Sequence, residues 1–239
     1  LERDFPIEIF TTNYDLLLEQ AFEERRRPYF DGFVGVREPF FDNASIGGST
    51  SKPLPPRFTR LWKIHGSINW FLTADGDVTR TPKGAGGRRL IHPSHLKYDE
   101  SRQMPYLALL DRLRTFLGQR GALLVTCGYS FGDQHTNAIV TESLAANPTA
   151  NVTALLHDPL ASYDEAARLA RSLSNLNTFA RDLGIVGTRE AEWTTTGTSS
   201  PTTIGFSAAT AGGTEFTLGN FNELGRFLAS MLDRLDGGS

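Results

Sequence analysis

Four short polar stretches hold the side chains best suited to chemistry: "TTNYD" at 11–15, "HGS" at 65–67, "GYSFGDQHTN" at 128–137 and "HDP" at 157–159. They offer carboxylates at Asp15, Asp133 and Asp158 and imidazoles at His65 and His135. Beside these stand neutral polar or small residues, Thr12, Asn13, Gly128 and Ser130. An imidazole changes charge close to neutral pH, so His65 suits proton transfer in a cell. A neutral amide such as Asn13 holds a water without competing as a nucleophile, and a carboxylate such as Asp15 stabilises developing positive charge.

Each stretch also has a plainer reading. Thr12 or Asn13 would cap a helix, since short polar side chains satisfy the first free backbone N–H groups. Asp133 would cap the next helix, His65 would be a half-buried turn residue, and His135 and Asn137 would face solvent. "HPSH" at 92–95 has a metal-ligand spacing but no partner ligands, so no metal site is assigned there.

The elements that must position these groups read as follows. "PIEIF" (6–10) is a short strand, and a helix follows from about Tyr14 to Arg26. Its apolar stripe is Leu17, Ala21 and Phe22, widened by Leu16 and Leu18. Residues 28–58 are rich in Phe, Gly, Pro and Ser without a sustained period, an insertion packed by aromatics. "RLWKIHG" (60–66) is a strand ending in a turn, and two short strands flank Asp75 and Gly76 as a hairpin. A helix over roughly 105–118 precedes "GALLVTCGYS", a continuous apolar run typical of a parallel strand buried on both faces. Then come a helix at 133–146, a strand at 151–158 and a helix at about 162–182. The Thr-, Ser- and Gly-rich 188–213 reads as a mobile loop, and "NFNELGRFLASMLDRL" closes the chain as an amphipathic helix.

Strands alternating with helices predict an α/β fold, Rossmann-like, with a parallel sheet and helices on both faces. In such sheets ligands bind beyond the carboxyl ends of the strands, which is where all four polar stretches fall. The 239 residues read as a single domain of a soluble protein, with a net charge of −3 that gives no reason to expect nucleic acid. With one cysteine, Cys127, the chain can form neither an internal disulfide nor a multi-cysteine zinc module. No apolar run is long enough to span a membrane and no signal peptide is visible, so the expected location is cytoplasmic. The chain opens at Leu1 and reads as an excerpt from a longer protein.

"TTNYD", then "KIHGS", then a strand ending in "GYS" resembles the sirtuin family. The fuller set "TTNYD … KIHGSINW … HPSHLKY … GYSFGDQHTN" looks more like the sirtuin-like domains of bacterial anti-phage proteins, over residues 7 to about 160. The resemblance implies an NAD hydrolase that splits NAD into nicotinamide and ADP-ribose, with no metal. It further implies a homo-oligomer or a defence partner that controls the enzyme. Within it, Asn13 matches the asparagine that positions water or the nicotinamide ribose, and Asp15 the acid supporting the nicotinamide end, with Thr12 beside them. His65 matches the histidine that contacts the ribose hydroxyls and acts as base in the deacetylases. Gly128 and Ser130 match the Gly-x-Ser beside the adenosine half. Asp133, His135 and Asn137 match an extension of the defence-type branch, and Asp158 lies where sirtuins meet the adenine ribose.

The chain departs from the family twice. The deacetylases' four-cysteine zinc module has no counterpart, which speaks against a deacylase of the usual architecture. The Gly-rich phosphate-binding turn on the family's first strand does not precede Leu1, and "GAGG" at 84–87 follows no buried strand; an omitted upstream segment is expected to supply that turn. The competing expectations are a sensor that binds NAD or ADP-ribose without turnover, and a zinc-free NAD-dependent deacylase.

Overall fold

The computed structural model describes residues 7–46, 54–73, 75–80, 88–91, 105–182, 185–186, 206–208 and 214–236. The chain divides into two compact units, Leu1–Leu113 and Arg114–Ser239.

The first unit begins with β1 (Glu8–Thr11), α1 (Leu17–Glu24), β2 (Tyr29–Phe30), β3 (Phe33–Val34) and β4 (Phe40–Phe41). It continues with β5 (Thr59–Lys63), β6 (Gly66–Leu72), β7 (Val78–Arg80), β8 (Arg88–Ile91) and the start of α2 (Tyr106–Leu117). β5 is the centre of a parallel three-stranded sheet, β1-β5-β2, with Thr11 opposite Lys63. The other five strands form an antiparallel sheet ordered β3-β4-β7-β6-β8, in which β6 and β7 make the expected hairpin. The core is aromatic: Phe33 and Phe41 pack on Trp70, and Trp62, Ile64 and Leu109 join the same cluster.

The second unit holds β9 (Leu123–Cys127), α3 (Gln134–Ala146), β10 (Asn151–Leu155), α4 (Asp164–Ser172), β11 (Leu176–Phe179) and β12 (Ile185–Val186). β13 (Phe206–Ala208), β14 (Thr214–Phe216) and α5 (Phe221–Asp236) complete it. β9, β10 and β11 are parallel, with β12 antiparallel at the edge. The expected α/β fold with parallel sheets is therefore present, and it is the Rossmann-like kind.

Several elements differ from the sequence reading. α1 is shorter, and its buried residue is Glu19, whereas Leu17 is 67% exposed. The segment from 28 to 46 holds three two-residue strands and a short 3-10 turn at Asn43–Ser45, because Asp42 accepts from Ala44 N at 3.1 Å and starts that turn. β9 is not buried on both faces: Leu123 is 59% and Val125 48% exposed, and among the described residues β9 ends the strand order and pairs with β10 alone. The helix expected to reach 182 stops at Ser172, and β11 follows. There Asn175 Nδ2 donates to the carbonyls of Leu144 (3.1 Å), Asn147 (3.2 Å) and Ala150 (3.0 Å), which fixes the chain for strand pairing. Part of the 188–213 stretch, Phe206–Ala208, is a strand paired with Thr214–Phe216; most of the expected mobile loop, "HPSH" and "GAGG" lie outside the described residues.

Candidate functional site

In the first unit the parallel pairing of β1 with β5 brings the ends of both strands to one place. The Ile64 N–H donates to the Thr11 carbonyl at 3.0 Å, so Thr12–Asp15 and Ile64–Ser67 start side by side. The Tyr14 carbonyl gathers three donors: the Ile68 N–H at 3.0 Å, the Ser67 hydroxyl at 3.3 Å and Lys63 Nζ at 3.4 Å. Lys63 Nζ also donates to the Asp15 carbonyl and, at 2.8 Å, to Glu19 Oε1. The backbone of the loop thus faces inward. Asn13 and Asp15 are exposed, while Thr12 and His65 are half-buried. Asp15 Oδ1 accepts the Leu17 N–H at 3.0 Å and Thr11 Oγ1 accepts the Asn13 N–H at 3.1 Å, so Asp15 and Thr11 make the local turn bonds, and neither Thr12 nor Asn13 caps α1, whose N-cap is Leu16. The Asn13 side-chain amide has no partner among the described residues.

A cavity of about 390 Å³ lies along α1, lined by Leu16, Glu19, Glu23, Tyr29, Asn69 and Arg80 among others. The Tyr29 hydroxyl donates to Glu23 Oε1 at 3.0 Å, and burial, then that bond, pushes the phenol's pKa up. Arg80 is paired with the buried Asp31, whose carboxyl is nonetheless raised above its usual value because burial outweighs the cation.

In the second unit β9 and β10 run in register, Cys127 opposite Leu155, so Gly128–Ser130 and His157–Asp158 leave at the same end of the sheet. Gly128 has φ +72 with open space where a Cβ would stand, and Ser130 is exposed. A left-handed φ favours glycine there, and the bare backbone leaves room for a ligand to approach. Asp133 caps α3 with both oxygens, accepting His135 N–H at 2.9 Å and the Thr136 hydroxyl at 2.7 Å. His135 is exposed, as the plain reading has it. Asn137 is not: it is buried, donates to the Phe131 carbonyl at 2.7 Å and accepts from the Tyr129 hydroxyl at 2.7 Å. Asp158 is exposed and within 3.4 Å of the Tyr163 hydroxyl. Burial pushes the Cys127 thiol above its usual pKa, consistent with a packing role.

The model of the SIR2-like domain matches residues 7–179. The chain belongs to the SIR2-like family. A search of curated proteins finds no match. Membership in the SIR2-like family implies use of NAD. In the first unit an amide, Asn13, and an imidazole, His65, stand at strand ends; in the second, Gly128 presents an uncovered backbone. Among the described residues no three His, Cys, Asp or Glu side chains are grouped to hold a metal ion. Among them, too, no helix is long and apolar enough to cross a membrane. Sequence reasoning missed Lys63, Ser67 and Glu19. Lysine in the midst of the apolar strand "RLWKI" was the available signal, because a buried ammonium needs dedicated partners.

Proposed function

We propose that this SIR2-like chain is an NAD glycohydrolase that cleaves NAD to nicotinamide and ADP-ribose. One observation supports this most: the exposed Asn13 amide, without a partner among the described residues, and the half-buried His65 leave the same end of two hydrogen-bonded parallel strands. In the proposed reaction the bond between nicotinamide and the ribose anomeric carbon breaks, and nicotinamide departs with the bonding electrons. Asn13 holds the water that adds to that carbon, His65 takes the water's proton, and Asp15 stabilises the oxocarbenium-like centre. Thr12, Gly128, Ser130, Asp133, His135 and Asp158 are the proposed cofactor contacts.

The biological role proposed is anti-phage defence by NAD depletion, under control of a homo-oligomer or a defence partner in the cytoplasm. An NAD-dependent deacylase is the weaker reading, since one cysteine cannot build the zinc module that helps shape an acyl-peptide cleft. The test is nicotinamide release from NAD by the full-length protein beside folded Asn13→Ala and His65→Ala variants. Release that drops at least about 100-fold in both variants is expected, as for loss of a general base or a water-positioning group. Binding without release in the presence of candidate activators points instead to an NAD sensor, and release that persists in both variants removes these residues from the site.

A further inference from the structure

Lys63 is the buried group whose role the strand itself does not explain. It is 2% exposed, on β5, two residues before His65 and opposite Thr11. An ammonium has three N–H donors and no acceptor. Here three acceptors meet it: the carbonyls of Tyr14 and Asp15 and the carboxylate of Glu19, itself 8% exposed. Desolvating such a pair opposes folding, and an apolar pair of similar volume holds a strand to a helix as well or better. What an apolar pair does not do is grip backbone carbonyls. The two carbonyls gripped belong to the residue after Asn13 and to Asp15 itself. We propose that Lys63, held in place by Glu19, is a positioning residue that fixes the Asn13–Asp15 loop against the strand end carrying His65. The proposal rests on the NAD-cleaving reading of that loop for its kinetic consequence, though not for its structural one.

The experiment compares wild-type full-length protein with Lys63→Met and with the double variant Lys63→Met/Glu19→Leu. It follows steady-state nicotinamide release, thermal midpoint and backbone hydrogen exchange over residues 12–17, with β9–β10 as internal control. Lys63→Met is expected to lower kcat about 100-fold, the scale of a roughly 1 Å misplacement of catalytic groups, while KM moves less than about threefold. The double variant is expected to regain the thermal midpoint, because no unpaired charge remains buried, but neither kcat nor slow exchange at 12–17. Recovery of kcat and exchange together with the midpoint would overturn the proposal and leave the pair a stability feature only. Should both variants fail to fold, Glu19→Gln keeps an acceptor for Lys63. It is expected to speed exchange at 12–17 selectively, and unchanged exchange there overturns the proposal. If the wild type releases no nicotinamide, the hydrolase reading falls, and exchange at 12–17 alone decides for or against Lys63.

Discussion

Asp133 and Asn137 show how residues of one motif divide their work. Asp133 satisfies the start of α3 with both carboxylate oxygens, and Asn137 pins Tyr129 and Phe131 from within the same helix. Phe131 needs that hold, because it is buried at φ +59, a left-handed conformation that a bulky residue rarely adopts. Asp133→Ala is expected to cost about 1 kcal/mol of stability, the usual loss for a helix cap. Asn137→Ala is expected to cost more, about 2–3 kcal/mol, since it takes the donor from the buried Phe131 carbonyl and leaves the Tyr129 hydroxyl the longer bond to the Asp133 carbonyl at 3.3 Å. Urea denaturation of the two variants checks the order, and equal losses would refute the division. Asp133 as a cap was legible in the sequence because capping is local. Asn137 was not: its partners lie back across a turn, and only the fold says that an asparagine in that helix points inward.

At the scale of elements, the patterns most visible in the sequence were those set by neighbours in the chain, such as the β6–β7 hairpin and the two helices α2 and α3. The misread ones depend on distant pairing. β11 lies in a stretch of Ser and Asn that continues a helical pattern, and it becomes a strand because β10 offers it a parallel partner and Asn175 fastens its start. β9 has the apolar run of a central strand but, among the described residues, ends the order of its sheet. A third contact, also out of reach of sequence, joins β10 to the turn before α5. A Cβ on Gly219 would lie 2.1 Å from the Leu156 carbonyl oxygen and 2.4 Å from its carbon, which no side-chain rotation relieves. Gly219→Ala is therefore expected to push that turn off β10 and cost about 1–3 kcal/mol. Cys127 reports the displacement, because its thiol donates to the carbonyls of Leu218 (3.5 Å) and Gly219 (3.4 Å). Alkylation of Cys127 by a small thiol reagent is expected to speed up several-fold in the variant. An unchanged rate with an unchanged melting temperature would mean the turn has room.

At the scale of the whole molecule, Glu8 contributes stability against acid. Burial opposes its ionisation, but hydrogen bonds from Arg112 and Trp62 and the charges of Arg112 and Arg60 outweigh it, and the carboxyl is held below its usual value. A depressed carboxylate stabilises the fold fully above its unfolded pKa, about 4.3 for glutamate, and the contribution is lost as pH falls through the folded value. Asp31, raised by burial, works in the opposite sense: its contribution is present at low pH and lost as pH rises through its folded value. The gap in melting temperature between wild type and Glu8→Gln is thus expected to be widest above about pH 5 and to close below about pH 4. A gap independent of pH would show that the ion pairs contribute nothing. In the loop after β1 the backbone and the side chain at position 13 face different ways. Its carbonyls turn to Lys63, Ser67 and Ile68, while the Asn13 amide faces outward with no structural duty among the described residues. Mutation can therefore exchange the side chain at position 13 without loosening its mount, and under the proposed function a lineage built on this frame is free to drift between catalyst and receptor at almost no cost to folding.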